Sequence, residues 1–140
     1  MSITVDNKGV NNDGQRLIYD LYYFDSDQYY APTPAAAFKI ILIKWAKVLQ
    51  ESNRNGATRL FLPFDLDDEW TKCLRADLND DRVILRYVKI EVNGYEVDVD
   101  HLENFMTSTH GIEEEGSELF GDYDNEEFIS ALINAQVIKE

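Results

Sequence analysis

The chain has 140 residues, 44% hydrophobic and 12% aromatic, with 27 acidic against 13 basic side chains and a formal net charge of −14. That apolar content suits one globular domain over residues 1–140 despite the charge, while so acidic a surface argues against direct binding to nucleic-acid phosphates or anionic lipid. No apolar run approaches the ~20 residues of a membrane span. The start of the chain lacks a basic-then-apolar leader, and the lone Cys73 excludes an intrachain disulfide framework, so the cytoplasm is expected.

In chain order, Ile3 and Val5 suggest a first strand, and Asn7–Gly14 carries turn chemistry. Arg16–Phe24 is β-branched and aromatic and reads as a strand. After a loop at 25–33, Thr33 as N-cap and Pro34 as first residue open a central helix over about 33–52. Phe38, Ile41, Leu42, Trp45, Val48 and Leu49 share its apolar face. Gly56 suits the left-handed cap that ends it.

Thr58–Phe64 reads as a strand with Pro63 at an edge or end. Trp70, Leu74 and Leu78, spaced i, i+4, i+8 behind Asp67 or Asp68, predict a short helix. Arg82–Asp98 predicts a hairpin turning at Asn93-Gly94. Asp100 with Glu103 and Asp124 with Glu127 match capping boxes for two further helices, the second over about 125–137. Between them, 112–123 reads as an acidic loop. The order gives an α+β fold with a mostly antiparallel sheet.

The charge is lopsided. Glu96–Glu140 holds 13 acids against one base, Lys139, a net −12, whereas Met1–Tyr95 is nearly balanced at −2. No motif for nucleophilic, nucleotide or zinc chemistry is present, and Cys73 reads as a small buried hydrophobe. Asp122-x-Asp124-x-Glu126 begins like a calcium loop, but Glu127 stands where glycine is needed and Ile133 where the bidentate acid belongs. No metal or cofactor is expected. The best catalytic constellation is Asp98, Asp100 and His101, a set suited to a small metal-assisted hydrolase; a solvated cap is the plainer account.

Recognition of a partner fits better than catalysis. Acids and aromatics recur together at Asp25, Asp27, Tyr29 and Tyr30, and again at Glu113, Glu114, Glu115, Glu118, Asp122, Tyr123 and Asp124. Carboxylates steer a cationic partner and tyrosines anchor interfaces. These eleven residues are the expected contact set. In size, charge and lack of catalytic motif the chain is similar to small acidic bacterial immunity proteins, a likeness of general character without an alignable signature. It implies an immunity or antitoxin protein, monomeric or weakly dimeric, that neutralises a basic, nuclease-like toxin domain. A structural subunit of an obligate oligomer is the remaining alternative.

Overall fold

Thr33 and Gly56 bracket the long helix as their chemistry requires. In the computed structural model, which describes residues 1–18, 31–66 and 69–138, Thr33 is extended and its side chain accepts the Ala36 N–H at 3.2 Å. Pro34 opens helix α1 (Pro34–Asn55), and Gly56 closes it at φ 71° with its N–H on the Ser52 carbonyl. Phe38, Ile41, Leu42, Trp45 and Leu49 are wholly buried, and Trp45 Nε1 donates to the Pro63 carbonyl at 3.1 Å. On the opposite arc Ile43 stays half exposed.

Three short antiparallel strands precede α1: β1 (Ile3–Asp6), β2 (Gly9–Asn12) and β3 (Gln15–Ile18). Gly9 sits at φ 153°, and a Cβ there would run into the Ile18 carbonyl, so β2 approaches β3 only because this residue has none. The strand expected over 16–24 is seen as far as Ile18; its remainder lies outside the described residues, as do Asp67 and Asp68.

After α1 come β4 (Arg59–Leu66), β5 (Thr71–Asn79) and β6 (Arg82–Ile90), each antiparallel to the last. The helix expected around Trp70, Leu74 and Leu78 is therefore corrected to a strand. Those three positions are an even number apart, so they satisfy the two-residue strand period as well as the helical one, and both neighbouring strands pair along β5. Its turn into β6 is at Asp80, φ 53°.

The expected Asn93-Gly94 hairpin is also absent. Residues 94–96 and 99–101 are 3-10 turns, and β6 takes as its other partner β7 (Ile112–Asp124), the segment expected to be a loop. Between them, helix α2 (Leu102–Thr107) buries Leu102 and Met106 as its spacing predicts. Asp98, rather than Asp100, caps the turn before it.

Helix α3 (Asn125–Ile133) starts as expected, with Asp124 accepting the Glu127 N–H at 3.0 Å. It ends earlier than expected, because the chain leaves it for β8 (Gln136–Val137), which lies parallel to β1. Lys39 reaches across from α1 to the Ile133 and Ala135 carbonyls at 2.9 and 2.8 Å and satisfies that end of α3; its own burial lowers its pKa. The α+β architecture thus holds two mostly antiparallel sheets, ordered β3-β2-β1-β8 and β4-β5-β6-β7. One core joins Val5 and Val10 of the first sheet, Leu62, Leu74 and Leu85 of the second, and the buried faces of all three helices. A smaller cluster of Phe61, Cys73, Val88 and Ile90 lies under Phe105 on the far side of the second sheet.

Candidate partner-binding surface

The acidic segment is ordered by bases contributed by its own sheet. Edge strand β7 is antiparallel to β6, and that register sets carboxylates beside cations. Lys89 Nζ meets Glu114 at 3.2 Å, Arg75 Nη2 meets Glu115 at 2.8 Å, and Arg82 Nη2 meets Asp122 at 3.0 Å. Arg75 is nearly buried and also holds Asp77 at 3.1 Å, which in turn binds Arg59 at 2.7 Å. Even so the acids remain open to solvent: Glu114 is 69% exposed, and Glu115 and Asp122 nearly half. Glu113 is exposed and makes no ion pair among the described residues.

Among the described residues the expected contact set falls into two groups. Lys89 and Arg82, which mark the two ends of the paired region, are seven residues apart on β6, or about 23 Å at a strand's rise. Glu113, Glu114 and Glu115 therefore gather at one end of β7 and Asp122 to Asp124 at the other. Tyr123 is partly buried and packs against the core. Its pairing with Val83 turns the ring toward the core, where it lies nearly parallel to Phe128, centroids 5.7 Å apart. Asp124 spends its carboxylate on the α3 cap. Asp25, Asp27, Tyr29 and Tyr30 lie outside the described residues, as does the side chain of Glu118.

A feature that sequence reasoning missed lies at the head of α3. The exposed β5–β6 turn brings Asp80 and Asp81 against Asp124 and Glu126, with Asn53 from α1 and Asn125 from α3, around a cavity of about 420 Å³. The Asn125 N–H donates to the Asp81 carbonyl at 2.7 Å, and Asn125 Nδ2 donates to Asn53 Oδ1 at 2.6 Å. Asn125 is only 4% exposed and its Oδ1 has no hydrogen-bond partner, an arrangement that costs about 1–3 kcal/mol in a folded protein. On the other side of the same helix start, Asp124, Glu126 and Glu127 line a second, larger hollow of about 760 Å³ together with Met1 and Ser2. The negative charge here has a structural component as well, since carboxylates in a first helical turn are favoured by the helix dipole.

No family model, curated protein or solved structure matches this chain. The geometry alone bears on function.

The expected catalytic constellation folds into a surface cap. Asp98 Oδ1 accepts the Asp100 N–H at 3.0 Å and its Oδ2 lies 2.9 Å from His101 Nδ1, with both side chains 63% exposed. The hydrogen bond that His101 donates to Asp98 raises the imidazole pKa, and the same contact lowers that of Asp98. Asp100 points elsewhere, lining a hollow with Lys44, Lys47 and Glu103. Asp98 and His101 do not line that hollow. Among the described residues no three His, Cys, Asp or Glu side chains are grouped to hold a metal ion. Cys73 is fully buried, as its sequence context suggests, and burial raises its pKa well above the ordinary thiol value. His110 is a packing residue: its ring stacks on Phe105 at 4.4 Å and meets Phe61 edge-on at 5.1 Å, while Nε2 donates to the Phe105 carbonyl at 2.7 Å.

Proposed function

We propose that this chain is an acidic protein-binding module that neutralises a basic partner, most concretely an immunity or antitoxin protein of the bacterial cytoplasm acting against a nuclease-like toxin. The observation that carries the reading is the unequal use of charge. On the second sheet Arg59, Lys72, Arg75, Arg82 and Lys89 are engaged in ion pairs, and Lys39 is engaged on helix-end carbonyls. The acids at the head of α3 and on the β5–β6 turn, Asp80, Asp81, Glu126 and Glu127, are exposed and enter no ion pair among the described residues. With these cations engaged internally and these anions facing outward, the surface projects a negative potential, which speeds the arrival of a cationic macromolecule. A phosphate-binding site on a nuclease is cationic for its substrate and accepts spaced carboxylates instead. Among the described residues no helix is long and apolar enough to cross a membrane.

The test is affinity capture from the source cell at low salt, elution with a salt gradient, and kinetics on the protein retained. The reading expects a strongly basic partner, with pI above about 9, whose association slows as salt rises, and whose toxicity is relieved by co-expression of this chain. A neutral or acidic partner, or an association rate indifferent to ionic strength, overturns it.

A further inference from the structure

We infer that the outer side of β7 takes an extended, basic segment of the partner as an added strand, an inference that rests on the reading above and makes it more specific. A strand at the end of a sheet leaves a row of N–H and C=O groups outside the ladder, and such a row pairs with another extended chain. Strand β7 runs 13 residues along one end of the second sheet. Among the described residues its backbone ladder is with β6 alone, and no other backbone group bonds to it. The opposite edge of the same sheet is closed. Pro63 brings no N–H to β4, its carbonyl is taken by Trp45 Nε1 at 3.1 Å, and α2 packs against the strand.

Charge chooses the occupant of that edge. Residues 112–124 contain six acids and no Lys or Arg. A second copy of this chain laid edge to edge sets carboxylates opposite carboxylates, and like charges in that position destabilise a strand pair. A segment carrying Lys or Arg meets the reverse field. The register says where its charges belong. Glu115 stands opposite Val88 and Asp122 opposite Ile84. Val88 and Ile84 are four apart on β6, so both acids stand on one face of the sheet, about 13 Å from each other at a strand's rise. Val88 belongs to the smaller cluster, which marks this as the face turned away from the main core. Each carboxylate is nearly half exposed and is held by one cation, Arg75 or Arg82. A carboxylate offers about four acceptor sites, so each has room for a second donor. Residues 121–124 lie opposite 85–82 without a break in register, whereas β7 bulges between Glu115 and Gly121. Backbone pairing therefore belongs along 121–124, and the added strand fits best with two cations four positions apart.

The experiment titrates the isotope-labelled full chain with a blocked octapeptide of alternating valine and threonine that carries lysine at two positions four apart. Backbone amide shifts and hydrogen exchange are followed by NMR. One control peptide is N-methylated at every amide between the lysines, which keeps the charge and removes the backbone donors. A second carries glutamate in place of lysine. Saturable shifts and slowed exchange along 121–124 are expected with the lysine peptide. The methylated peptide is expected to bind about tenfold more weakly, the effect of losing about two backbone hydrogen bonds, and the glutamate peptide not to bind. The double change Glu115→Gln, Asp122→Asn is expected to weaken the lysine peptide by about fivefold. Should that variant unfold, the comparison of parent and methylated peptides on the unaltered chain decides alone. Absence of saturable shifts, shifts that leave 121–124 unmoved, or binding of the glutamate peptide as tight as that of the lysine peptide overturns the inference. Equal binding of the methylated peptide also overturns strand addition while leaving the broader charge reading intact, and that reading fails separately if the captured partner is not basic.

Discussion

His101 and Asp98 show how much of a catalytic-looking cluster is ordinary helix chemistry. Asp98 caps the 3-10 turn through its Oδ1 and holds the imidazole through its Oδ2. The contact favours both charged forms, so the His101 pKa is raised from 6.5 and the Asp98 pKa is lowered from 3.8. The sign of the pH dependence follows. His101 contributes fully below its unfolded value and loses that contribution as pH rises through its higher folded value. Asp98 contributes fully above its unfolded value and loses it as pH falls through its lower folded value. The pair therefore stabilises the turn most between the two ordinary values, 3.8 and 6.5. In Asp98→Asn, NMR titration is expected to return the His101 pKa toward 6.5. A His101 pKa that stays raised in the variant shows that other groups hold the proton.

Arg75 ties β5 to β7, and its geometry ranks the ion pairs that the acidic strand makes. It is 9% exposed at the side chain and serves both Asp77 and Glu115, whereas Glu115 is 45% exposed. Removing the buried partner leaves polar surface and carboxylates unmatched; removing the exposed one lets water take its place. Arg75→Met is accordingly expected to cost about 1–3 kcal/mol in urea unfolding, and Glu115→Gln less than about 1 kcal/mol. Equal costs contradict this ranking. The same strand marks where sequence reading stopped. Thr33, Pro34, Gly56 and Asp124 announce helix ends through local chemistry, so α1 and the start of α3 were legible. The run Ile112–Asp124 was not, because its carboxylates mask the strand pattern until Lys89, Arg75 and Arg82 are alongside. Asn93-Gly94 misled for the complementary reason: its hairpin signal is local, while the place beside β6 goes to the longer strand whose charges match it. The cavity at α3 was illegible throughout, since it depends on Asn53 and Asn125 meeting 72 positions apart.

The balance of charge over the entire chain makes one prediction with opposite signs for the free and the bound protein. With 27 acids and 13 Lys and Arg residues, pairing every one of those bases still leaves an excess of 14 negative charges. Part of that excess sits close together, since Asp80, Asp81, Asp124 and Glu126 surround one cavity. Like charges gathered round one cavity repel, and the unfolded chain relieves that repulsion by spreading them. Screening over a Debye length that shrinks from about 30 Å at 0.01 M to about 8 Å at 0.15 M salt weakens repulsion and ion pairs alike. Repulsion dominates on this chain because the excess exceeds the number of pairs the bases are able to form. The melting temperature of the free protein is therefore expected to rise with sodium chloride over that range. Its affinity for a basic partner is expected to fall over the same range, because the potential that destabilises the free chain is the one that draws the partner in. A free protein whose melting temperature falls with salt would show that the sheet's ion pairs outweigh the crowding of acids, and would remove the energetic reason for supposing that this surface is completed by a cation from outside.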